Sequence, residues 1–149
     1  MTDYQKAQPI EILLVEDNPG DIRLAQEALK DGKVLNNLNV VMDGVEALAY
    51  LNKEGKYSDV LRPDIILLDL NLPKKSGHEV LKEIKNIPHL KRIPVVILTT
   101  STEDVDIINT YDHHANCYIT KPVDLDQFIN TIKAIENFFL TVVKLPPKE

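Results

Sequence analysis

The chain has 149 residues, a formal net charge of −6 from 17 basic and 23 acidic residues, and one cysteine, Cys117. That length suits a single compact domain with a core that needs neither disulfides nor a structural metal, and one cysteine excludes a disulfide framework or a thiolate cluster, in keeping with a reducing cytoplasm. Charges of both signs are mixed along the chain, which argues against a nucleic-acid-binding face, and no apolar run approaches the roughly 18 to 20 residues of a membrane span.

Residues 1–8 are polar and are expected to form a flexible lead-in, without the apolar stretch of a secretion signal; residues 9–149 are expected to form the one domain. Apolar runs of strand length then alternate with amphipathic stretches of helix length, which is the pattern of a parallel sheet covered by helices on both faces. Ile12-Leu13-Leu14-Val15 is a buried strand that stops at Glu16-Asp17, and Asn18 and Pro19 supply an N-cap and first residue for a helix running to about Lys30. Leu38 to Val41 makes the second strand. Asp43-Gly44 opens a helix predicted to turn Val45, Leu48 and Leu51 inward and to end near Gly55.

The third strand, Ile65-Ile66-Leu67-Leu68, ends on Asp69. A helix follows from Gly77 to about Asn86, where Pro88 blocks its continuation. Val95 to Leu98 forms the fourth strand and finishes in Thr99-Thr100-Ser101. A fourth helix is read over 103–112, and Cys117-Tyr118-Ile119 forms a fifth strand leading into Thr120-Lys121-Pro122. The last helix opens at Asp124, where Asp124 and Gln127 have capping-box spacing, and runs past Phe138 and Phe139.

In an open parallel sheet, ligands bind outside the carboxyl ends of the strands. Those ends carry Glu16, Asp17, Asp69, Thr99 and Lys121. Crowded carboxylates repel one another unless a cation lies among them, and a set of hard oxygen donors favours Mg²⁺ or Mn²⁺ over zinc or copper. A lysine and a hydroxyl beside them would receive an anion such as phosphoryl. Together these groups describe phosphoryl transfer with Asp69 as nucleophile.

The motifs Leu14-Val15-Glu16-Asp17-Asn18, Leu67-Leu68-Asp69-Leu70-Asn71-Leu72-Pro73 with Gly77, Leu98-Thr99, and Tyr118-Ile119-Thr120-Lys121-Pro122 make the chain resemble CheY-like response-regulator receiver domains over nearly its whole length. The resemblance implies a doubly wound, flavodoxin-like α/β fold with five parallel strands in the order 2-1-3-4-5. It also implies that Asp69 is the phosphoacceptor. Asp17, Asp69 and the Asn71 backbone carbonyl would bind Mg²⁺, with Glu16 acting through water. Lys121 would pair with the phosphoryl group ahead of a cis peptide at Pro122, while Thr99 and Tyr118 would act as the conformational switch.

Two features depart from the minimal pattern: Thr100 stands where Ala is frequent, and the C-terminus is extended. The extension, Leu70 to Lys75 and Asn116-Cys117-Tyr118 resemble the response regulators partnered with bacterial phytochromes. By that resemblance the partner is a phytochrome-type sensor histidine kinase. A homodimer would form through the fourth helix, fifth strand, last helix and the extension. Adjacent Phe138 and Phe139 cannot both face one core on a helix, so one of them is read as a partner contact, the plainer alternative being packing against the tail.

Each feature also has a plainer reading. Glu16-Asp17 fits a solvated loop and Asp69 a helix cap when taken singly, and His113-His114 fits a helix end. Two other functions compete with a signalling switch, whose own variant is an intermediate phosphotransfer protein. An aspartate-nucleophile phosphohydrolase would carry a second acid two residues after the nucleophile, where this chain has Asn71. A flavodoxin-like nucleotide binder would need amides in its first loop, where Glu16-Asp17 would repel phosphate.

Overall fold

Three apolar runs become the centre of one sheet because their side chains alternate between two covered faces. The computed structural model describes residues 9–31, 35–99 and 117–120, with the single positions Asp126 and Asn130. Its elements are β1 (Ile10–Val15), α1 (Pro19–Asp31), β2 (Asn36–Val41), α2 (Gly44–Leu51), a short 3₁₀ turn (Gly55–Tyr57), β3 (Ile65–Asp69), α3 (Gly77–Asn86), β4 (Val95–Thr99) and β5 (Cys117–Thr120). The five strands are all parallel, in the order β2-β1-β3-β4-β5. The order expected from the motifs is the one observed.

Leu13, Val15, Ile66, Leu68, Val95 and Ile97 point to the side covered by α2 and α3, where they meet Ala47, Leu51, Val80, Leu81 and Ile84. Ile12, Leu14, Ile65, Leu67, Val96 and Leu98 point to the opposite side, against Ala25, Ala28 and Leu29 of α1. A strand repeats every two residues, so burial on both faces demands the uninterrupted apolar runs seen in the sequence. β2 lies at the edge, and accordingly is only partly buried and rich in asparagine. Asn37 there donates its amide to Glu11 Oε2 at 2.7 Å.

Helix starts are set locally. Asn18 Oδ1 accepts from the Asp21 N–H at 3.0 Å, with Pro19 as the first helical residue of α1. Asp43 caps α2 by accepting from the Glu46 N–H at 2.8 Å. Ser76 and Glu79 form a reciprocal capping box on α3.

Two expectations need correction on α2. Val45 is 49% exposed and does not face the core. Gly44, Ala47, Leu48 and Leu51 hold the inward positions at three- and four-residue spacing, which turns Val45 about 100° away. The helix also ends at Leu51, four residues before Gly55. Asn52 closes it by directing both its backbone N–H (2.9 Å) and its side-chain amide (3.0 Å) to the Leu48 carbonyl, and Lys53 then takes a left-handed φ of 55°. Elsewhere the differences are small: β1 and β2 each begin two residues earlier than their apolar runs, and β5 includes Thr120. The predicted fourth helix, the start of the last helix and the C-terminal extension lie outside the described residues, as do Thr100, Lys121, Pro122, Phe138 and Phe139. Among the described residues, no helix is long and apolar enough to cross a membrane.

Candidate phosphoryl-transfer site

The strand order places a switch point between β1 and β3. Connections leave these neighbouring strands toward opposite faces, α1 on one side and α3 on the other, so a crevice opens at their carboxyl ends. Val15 is in register with Leu68, so Glu16 and Asp69 come next at the same level on adjacent strands. The ladder continues through Asp69 opposite Leu98 and Thr99 opposite Thr120, which puts Thr99 one step further along the same edge.

Here the sequence-predicted acids do meet. One carboxylate oxygen from each of Glu16, Asp17 and Asp69 lies within 4.8 Å of the other two. Glu16 is fully buried, Asp69 is 2% exposed and Thr99 1%, whereas Asp17 is open to solvent. Glu16 is held at both ends, its N–H donating to the Val41 carbonyl at 3.0 Å and its Oε2 accepting from the Asn18 N–H at 3.2 Å.

Asp69 is also oriented by backbone. The N–H of Asn71, two residues on, donates to Asp69 Oδ1 at 3.1 Å. The turn that makes this possible closes where the Gly77 N–H donates to the Leu70 carbonyl at 3.0 Å. Gly77 packs so tightly that a β-carbon there would fall 2.3 Å from the Asp69 carbonyl oxygen and 2.5 Å from Leu70 Cα. No larger residue fits without moving the strand end that carries Asp69.

Three carboxylates this close together, two of them buried and Asp17 open to solvent, are mutually repulsive. A cation among them relieves that repulsion, and the all-oxygen donor set fits a hard divalent ion. The structure thus brings together Glu16, Asp17, Asp69 and Thr99, with the Asn71 backbone alongside. Tyr118 lies within β5, in register with Ile97.

The sequence reading missed the supports of this site. Ser76-x-x-Glu79 is a legible capping signature that fixes the start of α3. The contact of the Gly44 α-carbon with the Lys75 carbonyl, by contrast, has no signature, because it joins the start of α2 to a loop 31 residues further along the sequence.

Comparison with known proteins agrees with the geometry. Residues 12–133 match the response regulator receiver domain family. Response regulator Rcp1 of Synechocystis sp. is 51% identical over 138 residues, which cover 93% of this chain and 94% of Rcp1. Among solved structures, the phosphorylated cyanobacterial phytochrome response regulator RcpA is 56% identical, with a TM-score of 0.76 over 91% of this chain and 96% of that one. The Mn²⁺-bound form of Rcp1 is 51% identical, with a TM-score of 0.75 over 93% and 99%. The chain therefore belongs to the response-regulator receiver family and is a receiver domain of a two-component system.

Proposed function

We propose that Asp69 accepts a phosphoryl group from a sensor histidine kinase, and that its phosphorylation changes which protein surface the chain presents. The observation that carries this is the convergence of Glu16, Asp17 and the buried Asp69 at the β1–β3 switch point, next to Thr99. In the transfer, a carboxylate oxygen of Asp69 attacks phosphorus in line. The bond from phosphorus to the donor's imidazole nitrogen breaks, and its electron pair leaves with the imidazole. The Asn71 N–H keeps the Asp69 carboxylate in one orientation for this attack.

Asp17, Asp69 and the Asn71 carbonyl would hold Mg²⁺ or Mn²⁺, with Glu16 acting through water. When bound, the ion offsets charge on the transferred group. Thr99 supplies a hydroxyl to a phosphoryl oxygen and Lys121 a fixed positive charge, with Tyr118 following Thr99 as the switch. Catalysis is confined to the chain's own phosphorylation and dephosphorylation. The likeness to a phytochrome response regulator favours a phytochrome-type kinase as the donor. The mixed charge and single cysteine of the sequence favour a cytoplasmic protein, and the adjacent aromatics Phe138 and Phe139 in the C-terminal extension favour a homodimer.

Incubation with acetyl phosphate and Mg²⁺, followed by intact mass measurement, tests the reading. It requires one phosphoryl adduct on the wild type and none on Asp69→Ala.

A further inference from the structure

Between β3 and α3, residues 70–76 form the loop that carries Asn71, and its middle is strained. Lys74 has a left-handed φ of 67°, and the Lys75 N–H donates to the Pro73 carbonyl at 2.7 Å. That hydrogen bond, spanning one residue of positive φ, is the γ-turn that side-chain-bearing residues seldom adopt. A turn of this kind persists only where its surroundings hold it.

Three contacts do so, and all reach outside the loop. Lys74 Nζ lies 3.5 Å from Asp43 Oδ2. Asp43 is itself immobilised, because its other oxygen caps α2. The Lys75 ammonium pairs with Glu83 on α3. The Lys75 carbonyl rests on the α-carbon of Gly44, where a β-carbon would come within 2.1 Å. The loop is strapped to the first turn of α2 on one side and to α3 on the other. Its amino end is fixed by the Asn71 bond to Asp69.

We infer that Lys74 and Gly44 are positioning residues of the metal centre: by fastening the γ-turn to the start of α2, they hold the backbone carbonyl of Asn71 in the direction a metal ion requires. The inference rests on the proposed role of that carbonyl. It also makes a prediction of sign. Lys74 is a cation near a cation-binding crevice, so through charge alone its removal would tighten metal binding. Through the strap its removal weakens it.

The test is Mn²⁺ titration of the full chain, followed by the electron paramagnetic resonance of the free ion, for the wild type, Lys74→Met, Lys74→Arg, Gly44→Ala and Asp69→Asn. Lys74→Met should bind Mn²⁺ about threefold to tenfold more weakly, somewhat less than the loss typical when a direct ligand's own hydrogen-bond partner is removed. Its urea midpoint should hardly move, since an exposed ion pair adds little stability. Lys74→Arg should restore affinity to within about twofold, the range of a retained surface charge. Gly44→Ala should weaken binding at least as much as Lys74→Met. Unchanged or tighter binding by Lys74→Met would overturn the strap, as would an arginine variant as weak as the methionine one. If Asp69→Asn binds Mn²⁺ as the wild type does, the site reading itself fails and takes the strap with it; loss in Asp69→Asn with no loss in Lys74→Met overturns the strap alone.

Discussion

The α-carbon of Gly77 lies against the carbonyl oxygen of Asp69, so the first residue of α3 and the proposed nucleophile share one close backbone contact. Alanine is intrinsically the better helix former by about 1 kcal/mol. Gly77→Ala should nevertheless destabilise the protein by about 2 kcal/mol net, because the new methyl group must displace strand backbone and not a flexible side chain. Urea unfolding monitored by circular dichroism should show a lower midpoint at an unchanged slope. A raised midpoint would show that the strand end yields freely.

Asp43 performs two tasks that substitution can separate. Asp43→Ala removes the α2 cap and should cost about 1 kcal/mol. Asp43→Ser keeps a capping oxygen but leaves Lys74 without its carboxylate, so it should retain most of that stability. Equal losses in the two variants would contradict the assignment of the cap to Asp43.

Leu67 is fully buried in the central strand, in the cluster that includes Ala25, Ala28 and Leu29 of α1. Leu67→Ala should lower unfolding free energy by about 3 kcal/mol, through lost apolar transfer and an unfilled cavity. Exposed Val45 makes a control on the same chain. Val45→Ala should change stability by less than about 0.5 kcal/mol.

The Tyr57 hydroxyl donates to the Glu46 carboxylate, and that hydrogen bond, with burial and the nearby charges of Glu46 and Asp43, pushes the phenol up to about 12. Burial, and then the charge of Glu11, also raises Tyr50 above its ordinary value. The folded state therefore keeps protons that the unfolded chain releases from about pH 10 upward. The stabilisation is fully present below pH 10 and is lost as pH rises from there through 12. Phenolate absorbance should show Tyr57 titrating near pH 12, well above an ordinary tyrosine. In Tyr57→Phe the alkaline fall in stability should be shallower, and an unaltered pH profile would contradict the Glu46 contact.

Where structure is dictated by short-range pattern, the sequence was sufficient. The apolar runs at Leu13, Ile66 and Ile97 read as two-sided strands, and the polar residues ending them, Glu16-Asp17, Asp69 and Thr99, had to collect at one sheet edge. Asn18-Pro19 and Asp43-Gly44 announced helix starts because capping acts over three residues. The end of α2 was not legible. It depends on Asn52 competing for the Leu48 carbonyl and on Lys53 accepting a left-handed backbone, neither of which shows in hydrophobic spacing. Val45 was misplaced because a three-residue interval alone fixes one line on a helix and leaves the four-residue neighbours, here Gly44 and Ala47, uncounted. Tight backbone contacts such as Gly77 on Asp69 and Gly44 on Lys75 depend on chain paths that converge only after the sheet has formed.

The central claim, that Asp69 is the phosphorylated residue, is tested most directly by locating the acyl phosphate. After incubation with acetyl phosphate and Mg²⁺, borohydride reduction would convert a phosphorylated aspartate to homoserine, and peptide mass spectrometry would find its position. The change should map to Asp69 in the wild type and vanish when Mg²⁺ is removed by chelation. Homoserine at another acid, or phosphorylation undiminished in Asp69→Ala, would contradict the account.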